Sequence, residues 1–285
     1  MVTYLRIRDP VVAGMFYEYS PDSLKLQIEQ CFKHRLGPGF IPEVHGEFKG
    51  SLLGVVSPHA GYMYSGPVAS WSFKALAENG KPDSFIIIGP NHSGVGAPLS
   101  ILREGCWRTP LGVASIDSEL ADEILSHCDL LEVDWTAHLS EHSIEVQLPF
   151  LQYLFGNVKF VPISMMLQNF EVSRAIGEGL AETIKNRRVT IIASTDFSHY
   201  VPLKQAVEDD SAIIEKILTL DAKGMFDVFY SRRVSMCGPG VVAAMLVACK
   251  MLGASRGVKL KYATSGDVTG DVSSVVGYAA IAIYR

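Results

Sequence analysis

Apolar positions recur along this chain in two rhythms. Short unbroken runs of β-branched and other large apolar residues, bounded by turn formers, predict buried strands at 52–56, 84–88, 158–163 and 189–193. Two later strands are predicted at 259–263 and 275–283. Apolar residues at helical spacing predict helices over 21–32, 67–77, 118–126, 144–154, 172–185, 203–218 and 240–251. The repeated order strand, turn, helix predicts an α/β fold, with a mixed, mostly parallel central sheet flanked by helices on both faces. The longest irregular stretch, 37–50, reads as a surface loop between the first helix and the first core strand.

Composition agrees with buried strands: 48% of residues are hydrophobic, 19% are charged and the mean hydropathy is +0.21. A length of 285 residues lies at the upper end of what one hydrophobic core serves. No repeat, low-complexity tract or charged linker divides the chain, so a single domain over 1–285 is expected. The net charge of −5 and the pI near 5.9 supply no basic field for a phosphate backbone, which argues against nucleic acid as a partner. No apolar run reaches the roughly 18–20 residues of a spanning helix, and the first ten residues lack the apolar core of a signal peptide. A cytoplasmic protein with no membrane partner is the expectation. Five cysteines, an odd and scattered set without a C-x-x-C pair, do not make a disulfide framework.

In a sheet of this kind ligands gather beyond the carboxyl ends of the strands, where the strand-to-helix loops converge. Strand 52–56 runs into Ser57-Pro58-His59-Ala60-Gly61-Tyr62, and strand 84–88 into Gly89-Pro90-Asn91-His92. Strand 189–193 runs into Ser194-Thr195-Asp196-Phe197-Ser198-His199. Any one of these histidines is a hydrogen-bonded loop residue on its own merits, and Asp196 would serve as a turn cap. Three strand ends that each deliver an imidazole point to a shared site. Cys237 stands in Met236-Cys237-Gly238-Pro239, just ahead of an Ala-rich helix, where the helix dipole is expected to lower its pKa and favour the thiolate. Cys31, Cys128 and Cys249 lack such a loop and read as structural thiols. A further segment, His138 to Phe150, puts His142, Glu141 and Glu145 at the start of a helix, where the acids would complement its dipole. Two imidazoles and a thiolate, from His59, His92 and Cys237, form a ligand set for iron, copper or zinc with at least one position open.

These segments together resemble the Memo family. The resemblance runs from Val11-Val12-Ala13-Gly14-Met15-Phe16-Tyr17 through Trp107-Arg108-Thr109-Pro110-Leu111-Gly112 to Asp271-Val272-Ser273-Ser274-Val275-Val276-Gly277-Tyr278. It also takes in Glu141-His142-Ser143-Ile144-Glu145 and Ser194-Thr195-Asp196-Phe197-Ser198-His199-Tyr200. It implies a fold similar to the class III extradiol ring-cleaving dioxygenases, in which two His and one Glu hold iron and a further His moves protons. His59 and His92 then match the metal histidines, and Cys237 stands at the third position, a thiolate where those enzymes have a carboxylate. His142 and His199 become acid/base candidates, with Asp196 orienting the site. The resemblance also implies, for microbial relatives, a partner belonging to a radical-SAM system.

The expected function is a metal-dependent oxidoreductase carrying iron or copper rather than zinc. Two other readings stand beside it: a non-catalytic protein that uses the same pocket for a metal or a peptide ligand, and a Cys237 nucleophile served by His and Asp, as in a hydrolase. The hydrolase reading ranks last because it leaves one strand-end histidine without a task.

Overall fold

The computed structural model describes residues 6–285. Five strands run parallel in the spatial order Gly112–Ile116, Lys159–Met165, Ser84–Pro90, Val189–Ser194, Leu52–Ser57. Val275–Tyr284 pairs antiparallel with Leu52–Ser57, and Arg256–Thr264 pairs antiparallel with Val275–Tyr284. The sheet is therefore mixed and mostly parallel, as its sequence pattern predicts.

Alternation along the central strands sorts their side chains onto two faces. Val56, Ile86, Ile88, Ile191 and Ala193 enter one core, packed under helices Phe170–Ile184, Leu203–Leu218 and Pro239–Met251. Val55, Phe85, Ile87 and Ile192 enter the other, beneath helices Pro21–Lys33, Tyr62–Asn79 and Leu148–Phe155. In that second core Phe73 stacks on Phe150 with centroids 4.6 Å apart. Because both faces are covered, the strands read as continuous apolar runs rather than as alternating ones.

Several elements depart from the sequence expectation. The second helix starts at Tyr62 rather than 67, with Pro67 inside it. The predicted helix 144–154 divides into a 3₁₀ turn, Glu145–Gln147, and the helix Leu148–Phe155. Helix Ala222–Arg232 was not expected, and its buried face is small: Ala222, Met225 and Phe226. The short strands Leu99–Ile101, Cys106–Thr109, Gly112–Ile116, Glu132–Val133 and His199–Val201 were also not foreseen. Runs of two to five residues carry too little periodicity to register. Among the described residues no helix is long and apolar enough to cross a membrane.

Candidate metal centre and its pocket

Ser84–Pro90, Val189–Ser194 and Leu52–Ser57 are neighbours, and Ser57 lies in register with Ser194. The loops that follow them must therefore emerge side by side, which brings His59, His92 and Asp196 to one edge. His142 arrives from the loop before the 3₁₀ turn, and Cys237 from the turn before helix Pro239–Met251. Ring nitrogens of His59, His92 and His142 lie within 4.8 Å of one another. Among the described residues this is the one group of potential metal donors so arranged, and the thiol of Cys237 is not in it. The thiol stands beside His59, with Sγ 3.4 Å from Nε2.

Hydrogen bonding fixes which nitrogens face inward. The Ser194 hydroxyl donates its one proton to the Ser143 carbonyl at 2.6 Å and accepts from Gln147 Nε2 at 2.8 Å. With that proton spent, His59 Nδ1, 2.9 Å from Ser194 Oγ, must be the donor, which leaves Nε2 with a free lone pair. Glu141 does the same for His92. Its carboxylate accepts from His92 Nδ1 at 3.0 Å and from the backbone amides of His92, His142 and Ser143. Burial pushes the Glu141 carboxyl up, but these donors outweigh it and hold the group well below the usual carboxylate range. A carboxylate behind a metal-facing histidine is a recurring support in metal sites.

Burial, and then the neighbouring His142 and His92, hold the His59 pKa well below its ordinary value. Burial likewise lowers that of His142, against the pull of Glu141. At neutral pH both rings are neutral and keep a lone pair, the form that binds metal. His142 is stacked on His92 with centroids 4.8 Å apart, and its ring meets that of Phe16 in a T-shaped contact with centroids also 4.8 Å apart.

Cys237 departs from the expectation of a lowered pKa. Burial, followed by the charge of Asp196, pushes its thiol up to about 12, although the Asp196 amide donates to Sγ at 3.2 Å. Desolvation outweighs the helix terminus here because the thiol precedes the N-cap, Gly238, and is enclosed by the Asp196 loop.

Asp196 does not cap the turn that follows it. Its Oδ1 accepts from the His59 amide at 2.9 Å, and Oδ2 lies 4.0 Å from His59 Nε2. Burial pushes its carboxyl up to about 6. His199 is farther out, on the strand His199–Val201, where its Nδ1 donates to the Ser235 carbonyl at 2.8 Å. His59, His92, His142, Asp196 and His199 all line one cavity of about 660 Å³.

Ser194, Gln147 and Arg8 also build the site, though nothing local in the sequence marks them for it. A serine at a strand end and a glutamine in a helical run carry no chemical signature on their own. Arg8 is buried and bonds Glu145 at 2.6 Å and the carbonyls of His138 and Glu141 at 2.6 Å each. Glu145 also accepts from the amides of Val11 and Val12 and from the Tyr17 hydroxyl. This ion pair ties the segment that carries Phe16 to the loop that carries His142.

The donor set suits a metal ion: His59 and His92 have their outer nitrogens engaged, His142 lies beside them, and a thiol stands against His59. Fold and site together define an α/β protein with a histidine-rich pocket at the carboxyl edge of its parallel strands. The chain belongs to the Memo family, whose model, described as Memo-like protein, matches residues 8–282. It is 50% identical to a MEMO1 family protein of Methanopyrus kandleri over 98% of this chain and 99% of that one. It is 48% identical to one of Methanothermobacter thermautotrophicus over 96% and 99% of the two chains. Among solved structures it is similar to an uncharacterized protein from Escherichia coli K12, with a TM-score of 0.52 and 10% identity. That likeness covers 81% of this chain and 99% of the other, and bears on the fold alone.

Proposed function

We propose that the chain is a metal-dependent oxidoreductase of the extradiol-dioxygenase-like kind, with iron or copper held by His59, His92 and Cys237. The observation that carries this reading is the 3.4 Å between Cys237 Sγ and His59 Nε2, at the rim of a triangle of ring nitrogens no more than 4.8 Å apart. Nitrogen and sulfur donors on one tetrahedral ion, at bond lengths of roughly 2.0 and 2.3 Å, stand roughly 3.5 Å from each other. His59 and Cys237 already have that spacing, and a thiolate beside imidazoles suits a redox ion.

A bound iron or copper ion would supply Lewis acidity and electrons for chemistry between dioxygen and a small substrate. The chain's own residues supply the rest. Ser194 and Glu141 hold His59 and His92 in the tautomer that presents Nε2. His142, neutral and on the cavity wall, can accept a proton from a substrate hydroxyl. His199 keeps its Nδ1 proton on Ser235, so its Nε2 is the second basic nitrogen on that wall. Asp196 fixes the His59 loop through its amide.

Two observations favour alternatives. His142 completes the triangle of mutually close nitrogens and is the competing third donor. Tyr200 lines the cavity and is 78% exposed, so a peptide at the surface can reach it, and this supports a non-catalytic protein that holds a metal or a peptide there.

The test compares His59→Ala with His199→Ala, both purified without oxygen and checked for intact melting. His59→Ala should lose its metal, whereas His199→Ala should keep most of it and lose roughly 10²- to 10⁴-fold in turnover. Equal loss in two folded variants would put His199 among the donors, and equal retention would remove His59. Tight metal binding without oxygen uptake over a broad phenol panel would favour the non-catalytic reading.

A further inference from the structure

The cavity has two chemically different halves. Imidazoles crowd the inner one, while the outer wall is built from Tyr64, Tyr200, Tyr278, Asp271 and Ser274, with Phe16 also on the lining. Among the described residues the cavity lining holds two carboxylates, Asp196 and Asp271, and neither Lys nor Arg.

Three features of the outer wall bear on what it holds. Tyr278 is 2% exposed and lines the cavity with Asp196, Tyr64 and Tyr200, and none of the described residues hydrogen-bonds its hydroxyl. The ring is buried while the hydroxyl, which is not among the buried atoms left without a partner, stays open to the cavity that Tyr278 lines. Tyr200 is held at φ 57°, in the left-handed region that a bulky side chain disfavours, and its ring lies 5.9 Å from that of His199. Asp271 receives the amide and hydroxyl of Ser273 on Oδ1, at 2.8 and 2.7 Å, which leaves Oδ2 to accept from another group.

We propose that this outer wall is a site for an organic ammonium group, so that the pocket takes small molecules with an aromatic body and a protonated amine. Aromatic faces and a carboxylate are the chemistry that attracts an ammonium, and phenol oxygens accept its N–H groups. An anionic ligand entering the same space would approach two carboxylates without meeting a side-chain cation. The inner imidazoles, or the ion they hold, are left to engage the other end of the ligand. The proposal rests on the reading of this cavity as a ligand site, but not on the identity or presence of the metal.

Benzylamine, benzyl alcohol and benzoate share a ring and differ in charge. Their binding to the full chain is measured by calorimetry at pH 7.5, in metal-free and zinc-loaded protein, with zinc content determined separately. In the metal-free protein benzylamine should bind about tenfold more tightly than benzyl alcohol, and benzoate most weakly. Asp271→Asn or Tyr278→Phe should shrink the amine-to-alcohol ratio toward one while the alcohol's own affinity changes little. Benzoate binding as tightly as benzylamine, a ratio unchanged in both variants, or no binding by any of the three would overturn the proposal. A chain that selects the amine but takes up no zinc would sink the metal centre and leave this site standing.

Discussion

At the scale of single residues, the site depends on where a few protons sit. Ser194 has one hydroxyl proton and commits it to the Ser143 carbonyl, and this forces His59 to donate from Nδ1. Ser194→Ala removes the acceptor and frees the ring to change tautomer and to rotate. Metal affinity should fall by about 10- to 100-fold, the usual effect of losing a support behind a metal histidine. Ser194→Thr, which keeps the hydroxyl, should restore most of it. Titration against a competing chelator measures both variants. An alanine variant with unchanged affinity would show that the His59 ring is fixed by packing alone.

At the scale of elements, the site is placed by strand order and by close backbone approaches. Gly89 is the penultimate residue of the strand that leads to His92, and a Cβ there would collide with the Ser143 hydroxyl and come within 2.9 Å of Ile144 Cγ1. Gly89→Ala should push the 141–144 loop outward, and His142 and Glu141 with it. A cost of about 1–3 kcal/mol in stability is expected from overpacking, together with weaker metal binding. Urea unfolding and chelator competition should show both losses together. A variant with wild-type stability and affinity would mean that the loop yields freely.

The same scale explains what the sequence does and does not reveal. Strands such as Ser84–Pro90 and Val189–Ser194 are legible because burial on both faces demands unbroken apolar runs. His59, His92 and Asp196 are legible because they immediately follow such strands. Their adjacency is not, since spatial strand order is set by long-range pairing that leaves no local mark. His142 was visible as a histidine in an acidic loop, but its place within the imidazole triangle depends on the Arg8–Glu145 pair, whose partners are 137 positions apart. The helix terminus in the sequence predicts a lowered pKa for Cys237, whereas the burial that raises it depends on the distant Asp196 loop, which leaves no local mark.

At the scale of the whole molecule, burying neutral histidines makes stability depend on pH. Burial, followed by the charge of Arg8, lowers the pKa of His138 to about 3. Its unfolded value is about 6.5, so between these two values the unfolded chain binds a proton that the folded chain refuses. The contribution of His138 is therefore present above pH 6.5 and is lost as pH falls, at about 1.4 kcal/mol per pH unit from this group alone. His138→Gln should be less stable at pH 7.5, yet its unfolding free energy should fall less steeply between pH 6.5 and 5. Denaturant unfolding at several pH values gives both slopes, and parallel slopes would contradict a neutral buried His138.

The metal centre is tested most directly by X-ray absorption at the zinc edge. Zinc is redox-inert and cannot oxidise Cys237, so anaerobic loading reports the donors without altering them. One zinc per chain is expected, with one sulfur at about 2.3 Å and at least two imidazole nitrogens at about 2.0–2.1 Å. A first shell of nitrogen and oxygen with no sulfur would remove Cys237 from the site and hand its place to His142, and a chain that retains no zinc would contradict the metal centre itself.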